Sequence, residues 1–334
     1  MKKFIIVILA LLTLIEACAP STDKLTFRPD GTFRILQFTD LHLQLFHPDQ
    51  VADVFTRMDS LVRQADPDLI AVTGDLLYSS PADSLMQLIV GRLDSYARPW
   101  AIVYGNHDHE HGLTLAQLSP IITSGRHTIN TLAPSGVLAD MEIPVFKTPG
   151  RAGGDRTRHA RPFIKYRHAR HDRASFYLFF LDSHAYSTDP IDYSNFSYAW
   201  FEPEQVEWVR HTAGQHPNTP SIAFFHIPFP EYAEVTNYVG EWTEPVCCPK
   251  YNSGMFGAMK ETGFIATFCG HDHDNSYAGI YDNVLLAYGR YSGSNGEYNH
   301  LPKGARLITL RYDGSLQTCI LDASGSHDLV SFPE

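Results

Sequence analysis

Five short polar clusters in the chain carry residue types that could hold cations and move protons. They read Thr39-Asp40-Leu41-His42, Gly74-Asp75, Gly105-Asn106-His107-Asp108, a lone His226, and Gly270-His271-Asp272-His273. Imidazole, carboxylate and amide donors mixed in this way suit Fe, Mn or Zn better than Ca or Mg. Two such ions roughly 3.5–4 Å apart lower the pKa of a shared water and clamp phosphoryl oxygens, supplying nucleophile and charge stabilisation together. A bridging carboxylate must then sit between them. Taken singly, each cluster has a plainer explanation. Asp40 and His42 fit an exposed turn, His226 fits a core histidine, and VYGNHDHE (103–110) fits a polar loop as well as half of a metal site.

Position separates these explanations. Each cluster follows an apolar, strand-like run, at 33–38, 68–73, 100–104, 222–225 and 264–269. Open α/β sheets put their sites at the carboxyl ends of strands. The glycines before Asp75, Asn106 and His271 allow tight turns and close backbone approach. Between the runs, Val51, Val54, Phe55, Met58 and Val62 recur at helical spacing, which predicts a helix over roughly 49–65. Ser80-Pro81 reads as an N-cap and first-turn proline for a second helix with Leu85, Leu88, Ile89 and Leu93 on its apolar face. A third helix starts at Pro203 and runs to His211. Another strand falls at 176–181, and short strands at 284–288, 305–310 and 316–321 close the chain. This alternation argues an α/β fold with at least one largely parallel sheet, in a single domain over 26–334.

With 334 residues, 44% of them hydrophobic, the chain can bury a sizeable core, and a formal net charge of -11 argues against a nucleic-acid partner. Lys2 and Lys3 precede an apolar stretch, 4–15, too short to span a bilayer. Leu14-Ile15-Glu16-Ala17-Cys18 resembles a bacterial lipoprotein signal. It implies removal of 1–17, a lipid on Cys18 that reaches a membrane, a tether over 18–25, and export to the cell envelope. Glu16 is unusual in such a box, and an ordinary cleaved signal is the alternative. Cys247 and Cys248 are adjacent, Cys269 and Cys319 lie in apolar runs, and no spacing suggests a thiolate metal site. The segment 147–173 is rich in Lys, Arg and His, with only Asp155 and Asp172 opposing them. It reads as a solvated insertion, or as a patch that attracts a phosphorylated substrate.

The ordered set D-x-H, G-D, G-N-H-D, a lone His after a strand, and G-H-x-H resembles the calcineurin-like metallophosphoesterase superfamily over Asp40 to His273. Three features resemble its purple-acid-phosphatase-like branch. Residues 74–78 read G-D-x-x-Y, Glu204-Gln205 precedes Trp208 in a helix, and YGRYSG (288–293) follows a late strand. The resemblance implies a four-layer α/β/β/α sandwich of two mixed sheets flanked by helices. It implies two transition metal ions (Fe, Mn or Zn) and hydrolysis of a phosphorylated small molecule. Asp40, His42 and His273 would bind the first metal, Asp75 would bridge, and Asn106, His226 and His271 would bind the second. His107 would face the substrate, with Asp108 orienting its imidazole. His109 and Glu110 match nothing in the pattern, and Asp272 is expected to cap its loop. The remaining histidines, among them His47, His111, His127, His184, His211, His216 and His300, lack partner spacing and read as surface or structural. A phosphodiesterase for nucleotides or lipid headgroups, and a binding lipoprotein without turnover, are the alternative functions.

One departure stands out. Purple acid phosphatases use the tyrosine of G-D-x-x-Y as an iron(III) ligand and lack a histidine two residues after the first aspartate. This chain has both Tyr78 and His42. His42 is the expected ligand and Tyr78 a packing or hydrogen-bonding neighbour. Protein purified aerobically with iron is therefore expected to show no visible charge-transfer band that Tyr78→Phe removes.

Overall fold

The structure is a computed structural model and describes residues 24–147, 174–187, 197–293 and 299–333. The expected leader, Cys18 and, beyond Lys147, the basic segment lie outside the described residues.

Three apolar runs form parallel neighbours: β1 (Thr32–Phe38), β2 (Leu69–Thr73) and β3 (Trp100–Val103). Two of them are apolar nearly throughout because both faces of this sheet are covered. Three antiparallel strands, β11 (Gly304–Arg311), β12 (Leu316–Asp322) and β13 (Gly325–Phe332), extend the sheet beyond β1 to the order β13-β12-β11-β1-β2-β3. The second sheet holds β4 (Met141–Phe146), β5 (Ala174–Phe180), β6 (Ser221–Phe224), β7 (Thr236–Val239), β8 (Phe264–Cys269), β9 (Ala278–Tyr281) and β10 (Val284–Tyr288). Its order is β4-β5-β6-β8-β10-β9-β7, with β5, β6, β8 and β10 parallel.

Five helices occur among the described residues: α1 (Pro48–Ala65), α2 (Ala82–Ser95), α3 (Leu115–Thr123), α4 (Pro203–Gly214) and α5 (Met255–Glu261). The period-2 alternation of the strands sorts side chains into layers. Ile35, Leu69, Ala71 and Ala101 of the first sheet meet Leu178, Phe180, Ile222 and Phe268 of the second in one buried core. On the other face of the first sheet, Leu36, Phe38, Ile70 and Ile102 pack with Val54 and Met58 of α1 and Leu85 and Ile89 of α2. Behind the second sheet, Phe179, Ala223 and Leu286 pack with Val209 of α4 and Met259 of α5. The result is the α/β/β/α sandwich of two mixed sheets.

Two local expectations shift. Helix α2 starts at Ala82 with Pro81 as its N-cap, one residue later than the proline signal suggests. Leu88 is 44% exposed, because Met86 and Val90 complete the buried stripe instead.

Candidate metal centre

The parallel strands all deliver their carboxyl ends to one rim between the sheets. Asp40, Asp75 and Asn106 leave β1, β2 and β3, while His226, His271 and His273 leave β6 and β8. Backbone hydrogen bonds lace these exits together: Asp40 N–H to Gly74 O at 3.0 Å, His42 N–H to Asp75 O at 2.9 Å, and Gly270 N–H to His226 O at 3.0 Å. Asp40, His42, Asp75 and His271 all have positive φ, between 45° and 80°. Side chains other than glycine adopt that region at a cost, and it persists where the surroundings over-determine it. Gly74 is also left-handed, and a Cβ on it would sit 2.4 Å from His226 Nδ1. A Cβ on Gly105 would sit 2.2 Å from Asp75 Oδ1 and 2.4 Å from the Asp75 backbone nitrogen.

Two buried triads result, Asp40–His42–His273 and Asp75–His226–His271, each with donor atoms within 4.8 Å of one another. The Asp75 carboxylate lies between them. Its Oδ2 is 3.5 Å from His42 Nε2 and 3.2 Å from His226 Nε2. His273 Nε2 is 3.7 Å and His42 Nε2 3.9 Å from Asp40 Oδ1. Asn106 turns its Oδ1 to within 3.2 Å of His226 Nε2 while its Nδ2 donates to the Tyr186 hydroxyl at 2.9 Å. His226 Nδ1 donates to Thr73 O at 2.8 Å, which leaves Nε2 as the nitrogen that could face a cation.

These residues fit cations. Among the described residues, the buried Nε2 of His271 has no hydrogen-bond partner, an exposed deficit unless a ligand supplies the contact. Burial, aided by the nearby His226, pushes His271 down to about 3, so its imidazole is neutral as a ligand must be. For His42, burial opposes the charged form, but the nearby Asp40 and Asp75 carboxylates outweigh it and raise the group to about 10. For His226, burial is outweighed by the charge of Asp75, and the group rises to about 9. Burial also works against the Asp75 anion, yet His226 and His42 hold its carboxyl well below the usual range. In the absence of metal, protons on His42 and His226 thus offset the carboxylates, and cations must displace them.

A family profile described as calcineurin-like phosphoesterase matches residues 33–275. The chain belongs to that family. It is 32% identical to "Probable inactive purple acid phosphatase 28" of Arabidopsis thaliana over 79% of this chain and 71% of that protein. It is 29% identical to "Phosphatase DCR2" of Saccharomyces cerevisiae over 80% of this chain and 49% of that one. A dimetal phosphatase from Danio rerio superposes with a TM-score of 0.60 at 12% identity, over 90% of this chain and 98% of that chain, and shares the fold.

As a calcineurin-like phosphoesterase the chain departs from one family expectation. Asp108 does not orient His107. It is fully buried, and its carboxylate accepts N–H groups of Gly105 at 2.8 Å, Leu76 at 2.8 Å and Leu77 at 3.1 Å. Burial, reinforced by the charge of Asp75, raises Asp108 to about 7. Asp108 therefore ties the loop after β3 to the loop after β2. The imidazole is held instead by Glu110, whose Oε2 lies 2.7 Å from His107 Nδ1. Glu110 and Tyr186 were not legible as site residues. A His-x-x-Glu spacing within a turn is a faint signal for the first, and no local signal exists for the second.

Tyr78 packs its ring 5.0 Å from that of His42 and 5.4 Å from that of His107. Asp272 turns away from the triads and accepts from Tyr288 OH at 2.6 Å and Cys247 N–H at 3.1 Å. Within the segment 288–293, Ser292 Oγ also accepts from Thr39 N–H at 3.2 Å, bracing the exit of β1. Gln205 receives Glu202 N–H at 2.9 Å and donates to Asp182 O at 2.8 Å, pinning α4 to the end of β5. His184 borders a cleft of about 350 Å³ beside Gly105, but its Nε2 is tied to Gln205 at 2.7 Å. His216 stacks on Tyr177.

Two outcomes are expected. Gly105→Ala forces a methyl group into Asp75 and should lower bound metal at least about 10-fold, as when a ligand loses its support, read by elemental analysis of folded protein. Metal binding to the metal-free protein at pH 7 should release protons, since His42 and His226 are raised above neutrality. Calorimetry in buffers of different ionisation enthalpy measures that release, and binding should tighten as pH rises through 9 and 10.

Proposed function

We propose that the protein is a dinuclear metal-dependent hydrolase of phosphate esters. The observation that carries this reading is the Asp75 Oδ2 atom, flanked at 3.5 and 3.2 Å by imidazoles from two separate triads. Ions bound there would supply Lewis-acid activation of a water and of the phosphoryl oxygens. The chain's own residues do the rest. Asp40, His42 and His273 would hold one ion, Asn106, His226 and His271 the other, and Asp75 would hold both. Among these site imidazoles and His107, only the His107 side chain is substantially open to solvent, at 25% exposure. It would meet the substrate, donating to the leaving oxygen or stabilising the charge that develops on it.

A binding protein without turnover is the second reading, and the words "probable inactive" in the names of some relatives favour it. Against it stands the complete donor set together with His107. For location, the leader and Cys18 support an exported protein tethered to the envelope by lipid. None of the described helices is long and apolar enough to cross a membrane.

The test is metal analysis with turnover of p-nitrophenyl phosphate and of its bis-ester, which separates a monoesterase from a diesterase. Asp75→Asn should reduce bound metal and lower kcat/KM by at least about 100-fold, because several kcal/mol of transition-state charge stabilisation are lost. A metal-loaded parent that turns over neither ester nor any nucleotide or lipid-headgroup diester would favour the binding protein.

A further inference from the structure

The mouth of the site contains a group of contacts that the metal triads do not account for. Glu110 is brought back toward His107 by a tight turn in which Glu110 N–H donates to His107 O at 3.1 Å. Its Oε2 then meets His107 Nδ1 at 2.7 Å. On the far side, the Tyr186 hydroxyl accepts the amide Nδ2 of Asn106 at 2.9 Å. The same carboxylate faces that hydroxyl. Burial pushes the Tyr186 phenol up to about 12, the Asn106 hydrogen bond opposes the rise, and the Glu110 charge adds to it.

Tyr186 is itself fixed. It pairs with Tyr198 as a β-bridge, and the two rings stack at 5.9 Å with 26° between their planes. Tyr198 in turn sets its ring edge-on to His271 at 4.4 Å. Backbone bonds from Ser187 N–H to Ser197 O at 2.8 Å and from Ala199 N–H to Ala185 O at 3.0 Å close this small ribbon.

We infer that Glu110 and Tyr186 are positioning residues that tie the substrate-facing imidazole of His107 to the metal-ligand amide of Asn106 through one polar chain. The inference rests on the function proposed above and deepens it. Each end of the chain has a separate effect. At one end, the carboxylate accepts Nδ1–H, fixes the ring of His107 and supports the positive charge the ring carries when Nε2–H is the donor to the leaving oxygen. At the other, the phenol oxygen accepts from the amide nitrogen. A carboxamide has one acceptor end and one donor end, so this bond turns the Asn106 oxygen toward His226 and the second cation position. Without it, rotation would present an NH₂ group to a cation.

The two ends predict different losses. Glu110→Ala should lower kcat about 10-fold or more with KM and bound metal unchanged, and Glu110→Gln, which keeps an acceptor for Nδ1–H, should recover part of it, as for partners that orient a ligand or catalytic imidazole. Tyr186→Phe should weaken the second metal equivalent by about 10–100-fold in direct titration, a readout independent of turnover. Two results would overturn the inference: a kcat for Glu110→Ala within twofold of the parent or falling only in proportion to metal content, and a Tyr186→Phe titration that superposes on the parent. A parent inactive on every phosphoester would count against the proposed function alone, since the Tyr186→Phe titration still decides the structural link.

Discussion

Two carboxylates, Asp40 and Asp75, share a water-poor rim with four imidazoles, and the rest of the molecule is arranged to hold them there. Like charges at such proximity need compensation by protons or by cations. The raised His42 and His226 are the protonated solution, and the neutral, orphaned His271 marks the cationic one. A site that fits metal but must first shed protons couples occupancy to pH.

Holding that arrangement requires the two sheets to meet without slack beneath it. Gln37, buried at the inner face of β1, donates to Thr73 Oγ1 at 2.9 Å and to Cys269 O at 2.9 Å, so one amide joins β1, β2 and β8 directly under the centre. Thr39 Oγ1 lies 2.7 Å from Asp40 Oδ2 and 2.9 Å from Thr73 O. Asp108 performs the same service for the loops after β2 and β3. Buried hydrogen bonds of this kind are electrostatically stronger than bonds in water and hold these elements rigidly together. That rigidity lets four non-glycine residues of the rim remain in left-handed backbone conformations.

The mouth of the site is built differently. His107, Glu110, Tyr78, Tyr186 and Tyr198 come from loops, and their side chains are partly exposed. Aromatic contacts, side-chain hydrogen bonds and the short Tyr186–Tyr198 bridge fix them, in place of the long ladders of the two main sheets. Buried metal donors on strand exits and a more open, adjustable rim are what a common chemistry with varied substrates requires.

The chain's linear order was sufficient to determine the fold class, and it singled out the six Asp and His residues that the structure gathers into two buried triads, because their clusters follow apolar runs and local patterning reveals a strand end. The D-x-H spacing within one loop also singled out His42, which lies in the first triad while Tyr78 packs beside it. The lower boundary of α2 and the exposure of Leu88 escaped it, because neighbouring Met86 and Val90 compete for the same stripe. Above all, only the tertiary structure decided which carboxylate serves which partner. Asp108 adjoins His107 in sequence yet turns inward to three backbone N–H groups, whereas Glu110 folds back onto the imidazole and Tyr186, 80 residues from Asn106, fixes the amide. Side-chain direction at a loop depends on backbone angles and on what packs opposite, and neither is written in the spacing of residues along the chain.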